Sequence, residues 1–493
     1  MSFTRPGGSA GRSIDLVRQS LLQDHSLPFA DALSTEHIEQ AFETEEVSFG
    51  LLRADAPADD DDGLVYTMGV TLWAMLSQAL FTDIHRSCRA AVQRVAVYYG
   101  LLGRDVSSTN TGGYCRARAK VTEGVVQQLA EGVAGCDSAV PDHFRWHGFR
   151  TMKIDGTTLS MPDTAENQAE YPQPKTQKEG LGFPVMRAVA LTSAATGMVV
   201  SMAMGPYSGK ETGETALFRT LFDKVGPGDL VVADRYYGGW FMLAMLQQRG
   251  VEFVTRLHQH RNADFTQGKR LGKGDHIVAW PKPPCPEWLD KETYDSLPDQ
   301  LEVREIEVHV DTPGFRTKSM IVVTSLRDSK LYLKSEIADL YRMRWMVELE
   351  LRDIKSTMKL DILRCLTPAA VRKELWTGIL TYNLVRHSIL QSAVQGECLP
   401  RQLSFAATYQ MLANTWVLAA VPPMVTISAR ERLISLRILN GYSHRVANRP
   451  NRIEPRAVKR RRDPIALLKE LRKTARTRMI EAQKTLAGTS QTK

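Results

Sequence analysis

The chain has 493 residues, which corresponds to about three domains at roughly 100–200 residues per domain. Hydrophobic residues make up 43% and charged residues 24% of the chain, a balance that excludes a disordered or fibrous protein. The formal net charge is +8, and residues 441–484 alone carry fourteen Lys and Arg against four Asp and Glu. Because the remainder is close to neutral, this excess predicts a basic C-terminal arm for a polyanion.

The sequence contains no signature of a membrane or secreted protein. No stretch approaches the roughly 18 uncharged apolar residues that a membrane helix needs, and the polar N-terminus lacks the apolar core of a signal peptide. The six cysteines are far apart and form no C-x-x-C pair. We therefore expect a cytoplasmic protein without a membrane partner, a disulfide framework or structural zinc.

The first part of the chain is predicted to be helical. Residues 1–63 form an N-terminal segment that ends in an acidic linker, and residues 64–140 show helical spacing broken by a polar turn at 103–113. Basic side chains flank that turn, which is typical of a helix-turn-helix DNA-binding domain, although an ordinary solvated helix pair is an open alternative. These flanking residues are Arg86, Arg89, Arg94, Tyr114, Arg116, Arg118 and Lys120.

From residue 141 the period changes to that of an α/β protein. The pattern of residues 141–256 indicates three strands, a helix (211–224), a strand (229–234), a helix and a strand, which predicts a mixed sheet with flanking helices. Three further segments follow: a β-rich insertion at 257–328, a helical stretch at 329–395 that contains a long helix from about 334 to 360, and a helical C-terminal region with a basic tail at 396–493.

Three carboxylates stand out by their positions. Asp155 lies inside the first strand of the mixed sheet, where a charge among apolar residues is costly unless it is paired or holds a metal. Asp234 ends the fourth strand, and ligands of open α/β sheets bind at the carboxyl ends of strands. Glu348 lies on the long helix, where a turn of 100° per residue places it on one stripe with Tyr341, Arg344, Arg352 and Lys355.

Carboxylates from three separate elements suit divalent cations. Hard oxygen ligands without His or Cys favour Mg²⁺ or Mn²⁺ over zinc, and two Mg²⁺ ions about 3.5–4 Å apart can clamp the attacking and leaving oxygens of a phosphoryl transfer. Cations beside one carboxylate would hold the phosphodiester, because Arg and Lys bind phosphate oxygens.

The spacing of Tyr341, Arg344, Glu348 and Lys355 resembles the Tyr-Arg-Glu-Lys signature of DDE transposases of bacterial insertion sequences. The first and second acidic motifs of that family are similar to Asp155-Gly-Thr and Asp234-Arg-Tyr-Tyr. The resemblance covers roughly residues 150–390. Further similarities are Gly209-Lys210 followed by Glu214 and Arg219, the β insertion, and the tail from Asn448 to Arg462.

The resemblance implies a ribonuclease H-like catalytic core, with residues 141–256 and 329–395 as its two parts. Asp155, Asp234 and Glu348 would be the catalytic, metal-binding triad for two Mg²⁺ ions, with Mn²⁺ as a substitute. The enzyme would cut a mobile element at its ends, through a DNA hairpin, and join the 3′-OH ends to target DNA. A base flipped out at the element's end would stack on the β insertion, where neither Trp280 nor Trp288 is singled out by a motif.

The resemblance and the charges together predict the DNA contacts. Tyr341, Arg344 and Lys355 inherit contacts to the DNA backbone, and Arg352 shares their stripe. Further candidates are Arg235, Lys210, Arg460, Arg461 and Arg462. Three alternatives stay open: Arg235 pairs with Asp234, Lys210 belongs to a surface salt-bridge ladder with Glu214 and Arg219, and the triple Arg run is only solubilising.

Three functions are compatible with these residues. The first is a transposase that acts as a homodimer on paired double-stranded element ends in the bacterial cytoplasm, associated with the nucleoid. The second is a metal-dependent nuclease on the same fold that cuts DNA without strand transfer. The third is a DNA-binding derivative without activity, which predicts at least one missing acid. All three acids are present, and only the transposase hypothesis explains the Tyr-Arg-Lys cluster.

Overall fold

One mixed sheet forms the centre of the molecule. The computed structural model describes residues 35–45, 65–66, 68–101, 108–135, 140–309, 319–419, 436, 439–446 and 469–489. Its strands are β1 (Arg150–Ser160), β2 (Val185–Ser193), β3 (Val199–Pro206), β4 (Asp229–Ala233), β5 (Glu252–Arg256), β6 (Lys269–Gly272), β7 (Asp275–Pro281), β8 (Gln300–His309) and β9 (Ser319–Thr324). The nine strands lie in the order β3-β2-β1-β4-β5-β9-β8-β7-β6.

The predicted mixed sheet with flanking helices is confirmed. β1, β4 and β5 are parallel to one another, and the other neighbours are antiparallel. β4 is buried along its whole length: Leu230 and Val232 pack in one apolar cluster, and Val231 and Ala233 pack in another. Both faces of a central parallel strand are therefore covered, which explains the continuous apolar run that its sequence shows.

Residues 257–328 are β-rich as expected, but their strands extend the main sheet, which we did not predict. β9 pairs with β5 through Val254 and Thr324, and β8, β7 and β6 follow outward. Pairing with β9 covers the otherwise open edge of β5, so that edge offers no unpaired backbone groups to another chain. The segment also contains a short helix, Lys291–Ser296.

The helices flank this sheet. They are α1 (Thr35–Thr44), α2 (Met68–Leu80), α3 (Cys88–Leu101), α4 (Thr111–Lys120), α5 (Glu123–Ala134), α6 (Ala165–Glu170), α7 (Glu214–Arg219), α8 (Trp240–Gln248), α9 (Lys291–Ser296), α10 (Lys334–Arg342), α11 (Trp345–Arg352), α12 (Pro368–Gln395), α13 (Phe405–Ala419) and α14 (Arg472–Thr489). Among the residues that the structure describes, no helix is long and apolar enough to cross a bilayer.

The long helix predicted from about 334 to 360 is wrong as a continuous element. α10 ends at Arg342, a turn contains Met343 and Arg344, α11 follows, and Asp353–Thr357 form a π-helix. The two α-helices serve different cores, because Leu340 and Tyr341 pack in one apolar cluster and Val347 and Leu351 pack in another. The turn lets the chain change cores, so one helical projection does not hold across it.

The helix predicted over 211–224 is also shorter than expected. α7 begins at Glu214, and a separate 3₁₀ turn covers Phe222–Lys224. Gly209 and Glu211 both have positive φ angles, 153° and 56°, which a right-handed helix cannot contain. Lys210 therefore lies in a turn ahead of the helix.

The N-terminal helices pack on the rest of the molecule through basic side chains. Arg86 is buried and donates to the carboxylate of Glu374 at 3.0 Å and to the backbone oxygen of Lys359 at 2.8 Å. Tyr114 is fully buried, and Arg94 donates to Ser77 at 3.0 Å. These three flanking residues are therefore structural, which corrects part of the predicted DNA-reading set and leaves Arg89, Arg116 and Lys120 as its exposed members.

α4 begins at Thr111, capped by the side chain of Asn110, so the predicted turn at 103–113 ends earlier than expected. At the other end of the chain, α14 lies within the predicted helical C-terminal region. Arg460, Arg461 and Arg462, with the rest of the linker from Asn448 to Asp463, lie outside the described residues.

Candidate active site

Asp155 lies in β1 with its carboxylate turned towards α11. Its Oδ1 accepts a hydrogen bond from the Gly156 N–H at 2.9 Å, and its Oδ2 is 4.0 Å from Nη1 of Arg344. Burial is the largest cause that raises the pKa of Asp155, to about 6, and the nearby carboxylates of Glu348 and Glu214 raise it further. The hydrogen bond from Gly156 and the charge of Arg344 act in the opposite direction and are larger than the effects of the two glutamates, so burial is what keeps this pKa raised.

Asp234 follows β4 and caps a short 3₁₀ helix, Arg235–Tyr237. Its side chain accepts from the Tyr236 N–H at 2.7 Å, and its backbone oxygen accepts from the hydroxyl of Thr255 on β5 at 2.7 Å. Its charge contributes to raised pKa values of Tyr237 and Tyr341, after the larger effect of burial at each phenol. Asp234 thus holds its loop in place and lies on the same side of the sheet as Asp155.

Glu348 reaches the site from α11 and shares a cation with Asp155. Nη2 of Arg344 donates to its Oε1 at 2.9 Å, and the Glu348 side chain is 41% exposed. The structure therefore brings Asp155 and Glu348 to the two terminal nitrogens of one guanidinium group. Arg344 lies in the turn between α10 and α11, and it is 9% exposed.

A buried ion-pair network fixes α11 against β1. Lys153, two residues before Asp155, pairs with Glu350, two residues after Glu348, and both side chains are almost fully buried. Asp353 of the π-helix pairs with Arg386 of α12 at 3.2 Å. These ion pairs hold β1 and α11 in place next to Asp155 and Glu348.

The other residues of the signature lie on this side of the molecule. Nζ of Lys355 donates to the Thr157 hydroxyl at 3.2 Å and to the Thr158 backbone oxygen at 3.0 Å. Arg352 is exposed on the surface of α11. Tyr341 is 6% exposed and packs in the apolar cluster with Leu340, so little of its side chain is open to a ligand.

The outlying predicted residues are exposed but take no part in this cluster. Arg235 and Lys210 are both exposed. The alternative pairing of Arg235 with Asp234 is absent from the ion pairs of the described residues. The proposed ladder of Lys210, Glu214 and Arg219 does not form either: Arg219 pairs with Glu211 and stacks over Trp288 at 3.9 Å.

The two tryptophans of the insertion differ in exposure. Trp280 is 5% exposed, donates to Oε1 of Glu305 at 2.9 Å and lies under Arg261. Trp288 is 36% exposed. The more exposed indole is the better surface for stacking, but neither is assigned.

Glu214 and Tyr237 meet beside the first acidic motif, a contact that the sequence interpretation missed. The carboxyl group of Glu214 lies against the backbone of Gly156, and its Oε2 accepts from the Tyr237 hydroxyl at 3.2 Å. Two signals were present: Glu214 in the resemblance ahead of the second motif, and the paired tyrosines after Asp234. Neither indicates that the side chains meet.

The donor atoms at this site are carboxylate oxygens, which fit Mg²⁺ or Mn²⁺. Within the described ranges, no group of three or more His, Cys, Asp or Glu side chains is arranged to hold a metal ion. The Arg344 guanidinium lies between Asp155 and Glu348 and provides the positive charge in this arrangement.

Comparison with known proteins agrees with these motifs. A family model described as "Transposase DDE domain" matches residues 146–384, just under half of the chain. The transposase InsG for insertion sequence element IS4, from Escherichia coli (strain K12), is 26% identical over 352 residues, which cover 70% of this chain and 76% of InsG. InsZ of the same strain, named as a candidate transposase, is 25% identical over 223 residues, 45% of this chain and 68% of InsZ.

A solved structure, the cryo-EM synaptic complex of piggyBac transposase with hairpin DNA, has a TM-score of 0.39 at 10% identity and covers 87% of this chain and 85% of that chain. The family model spans Asp155, Asp234, Glu348 and the whole Tyr-Arg-Glu-Lys signature. Residues 146–384 are therefore similar to the DDE domain of transposases, and the chain is similar over most of its length to an insertion-sequence transposase.

Proposed function

We propose that this chain is a cut-and-paste transposase that binds the ends of a mobile element, cleaves them and joins the 3′-OH ends to target DNA. The observation that carries the proposal is the meeting of Asp155 of β1 and Glu348 of α11 at one guanidinium, inside the matched domain. The two acids are 193 positions apart in the numbering, and the buried Lys153–Glu350 pair holds their elements together.

Asp155, Asp234 and Glu348 are the residues that would hold two Mg²⁺ ions, with Mn²⁺ as a substitute. When bound, such ions stabilise the charge that develops on the attacking and leaving oxygens. In the metal-free protein, Arg344 supplies the positive charge between Asp155 and Glu348. A phosphodiester then competes with Glu348 for Arg344, because a guanidinium binds phosphate oxygens bidentately.

The exposed cations are suited to the flanking DNA backbone. Arg352, Arg235 and Lys210 are exposed, and Lys355 is partly exposed beside Thr157. We assign Arg344 and Lys355 to phosphates at the cleaved end, with Arg352, Arg235, Lys210 and Tyr341 around them. Arg460, Arg461 and Arg462 are proposed as a further phosphate contact, on sequence grounds alone.

The course of the reaction follows from the resemblance. Water attacks the phosphodiester at the element's end, the freed 3′-OH attacks the opposite strand to form a hairpin, and after opening it attacks target DNA. Each step is an in-line displacement at phosphorus, so one ribonuclease H-like site serves all of them. A homodimer on paired ends, in the bacterial cytoplasm and associated with the nucleoid, completes the proposal.

The test is a Mg²⁺-dependent cleavage and strand-transfer assay on DNA that carries the element's own ends. Wild type is compared with Glu348→Gln and with Asp339→Asn, an exposed acid of α10 as control. We expect hairpin or joined products from wild type and from the control, and DNA binding without products from Glu348→Gln. Nicking without joining would favour the nuclease hypothesis, and an active Glu348→Gln would remove Glu348 from the site.

A further inference from the structure

A cavity lies where the N-terminal helices meet α12. Its volume is about 240 Å³, and none of the residues that line it belongs to the acidic motifs or to the Tyr-Arg-Glu-Lys signature. Its lining includes three guanidinium groups, two thiols and one carboxylate, from Arg86, Arg118, Arg364, Cys88, Cys365 and Glu374. Positive charge therefore exceeds negative charge around these residues, which we call the arginine cavity.

The carboxylate of the arginine cavity is already fully paired. Oε1 of Glu374 accepts from Nη2 of Arg86 at 3.0 Å. Its Oε2 accepts from the backbone N–H groups of Arg364 and Cys365, at 2.8 and 3.0 Å. Arg86 also donates to the backbone oxygen of Lys359 at 2.8 Å. The Arg86–Glu374 pair therefore serves the fold, and it leaves the other two guanidinium groups without a counter-ion.

Arg118 reaches the cavity from α4, and its guanidinium group contacts thiols instead of an acid. Nη2 donates to Sγ of Cys365 at 2.8 Å, and Nη1 donates to Sγ of Cys88 at 3.7 Å. Burial, with a smaller contribution from the charge of Glu374, raises the pKa of the Cys365 thiol to about 12, so this thiol is neutral at physiological pH. Among the residues that the structure describes, no carboxylate lies within ion-pair distance of Arg118. Its charge is therefore not neutralised.

Arg364 and Lys373 add two further cations beside Arg118. Arg364 is exposed, and its Nη1 donates to the backbone oxygen of Asp83 at 2.9 Å. Nζ of Lys373 on α12 donates to the backbone oxygens of Arg118 and Val121, at 2.8 and 2.6 Å. Burial lowers the pKa of Lys373, and the charge of Arg118 lowers it further, because the two cations repel each other. An anion in the cavity would offset this repulsion.

We propose that the arginine cavity binds a small phosphate dianion, either inorganic phosphate or a phosphomonoester, between Arg118 and Arg364. Two negative charges match the two guanidinium groups that lack a counter-ion, and a guanidinium group binds phosphate oxygens through two parallel hydrogen bonds. A DNA phosphodiester carries one charge and continues in both directions, which suits a groove better than a partly enclosed cavity. The inference goes beyond the proposed function, because it needs no residue of the active site.

The bound anion would connect two parts of the molecule. Arg118 belongs to the N-terminal helices, whereas Arg364 directly precedes α12, in the part of the chain that the transposase family model matches. A ligand that binds only the folded chain raises the free energy of unfolding. We therefore expect phosphate to raise the melting temperature above that in sodium chloride of equal ionic strength.

The experiment measures the binding of inorganic phosphate to the full chain by isothermal titration calorimetry at constant ionic strength. Wild type is compared with Arg118→Gln and Arg364→Gln. Arg342→Gln is the matched control, because it removes an exposed guanidinium group of α10 that pairs with Asp339. We expect one phosphate per chain, binding that is about tenfold weaker or more in each cavity variant, and unchanged binding in the control.

Alkylation of cysteines locates the phosphate without relying on a substitution. Cys88 lines the cavity, and Cys285 is exposed in the β-rich insertion and serves as the internal reference. We expect phosphate to slow the reaction of Cys88 with iodoacetamide, measured by mass spectrometry, and to leave that of Cys285 unchanged. An unchanged rate at Cys88 would overturn the inference, even if a variant at Arg118 fails to fold.

A short DNA duplex without terminal phosphates tests the other source of the same chemistry. We expect this duplex to leave the phosphate bound. Displacement of phosphate by the duplex would assign the cavity to the DNA backbone and overturn the proposal of a free anion. Phosphate binding that is equal in wild type and both cavity variants would also overturn it. None of these outcomes bears on the transposase proposal, which the Glu348→Gln assay tests separately.

Discussion

Two regions of the sheet, the β7–β8 end and the surroundings of β1, differ in how their charged side chains are paired. At the far end, Arg304 of β8 is fully buried and pairs with both oxygens of Asp275 on β7, at 2.8 and 2.7 Å. Beside it, Glu305 accepts from Nε1 of Trp280 at 2.9 Å and contacts His276 at 2.9 Å. Each of these charges has a partner of matching geometry, which is what a buried ion needs.

In the β1 region, Asp155 and Glu348 share the guanidinium group of Arg344, at 4.0 and 2.9 Å. The buried Lys153–Glu350 pair joins the same strand and helix two residues away from each acid, and the Glu348 side chain is 41% exposed. The comparison indicates that a buried charge paired with one of opposite sign serves the fold. Two acids that share one cation, on elements held together by such a pair, indicate a site for a ligand.

The largest expected effect on stability is at the matched end. Arg304→Met leaves Asp275 buried without a cation, so we expect a loss of about 3–5 kcal/mol in the free energy of unfolding, measured by denaturant titration. Arg327→Met at the same end removes an exposed pair with Glu302 and should cost less than about 1 kcal/mol. Equal losses in the two variants would contradict the comparison.

At the unmatched end, removal of a charge should stabilise the metal-free protein. The pKa of Asp155 is raised to about 6, so the folded chain binds this proton more tightly than the unfolded chain does. The resulting stability is present below about pH 4 and is lost as the pH rises through about 6. Asp155→Asn should therefore gain roughly 1–3 kcal/mol at pH 7.5.

The same variant should gain little at pH 4, where the aspartate of the wild type is protonated. Unfolding in EDTA at both pH values checks the prediction, with the exposed Asp339→Asn as the control that should not change. A gain that is equal at pH 4 and pH 7.5 would assign the effect to shape rather than to charge.

The smallest expected effect on stability is at Lys355. Its contacts with Thr157 and Thr158 lie at the edge of the site, so Lys355→Ala should cost less than about 1 kcal/mol in stability. It should weaken binding to element-end DNA and reduce the slope of log affinity against log salt by about 1, because one phosphate contact is lost. Lys330→Ala, exposed beyond β9, should leave that slope unchanged.

Much of the local structure could be predicted from neighbouring residues. The fourth strand, expected at 229–234, lies within a residue of those bounds as β4. The three acids and the Tyr-Arg-Glu-Lys spacing are also sufficient to indicate the family from the sequence alone. These features depend on periodicity and short spacing, which adjacent residues determine by themselves.

Tertiary contacts decided the rest. A single projection could not show that Leu340 and Val347 serve different cores, so the break between α10 and α11 was missed. The basic pattern of Arg86 gave no sign of its buried partner Glu374, 288 positions away. The meeting of Glu214 with Gly156 likewise depends on α7 packing against β2 and β3. The sequence by itself determined most of the helices and strands and the residue types of the candidate site. The tertiary structure decided which charged side chains lie close together in a partly buried environment, because that depends on distances in space and not on distances along the chain.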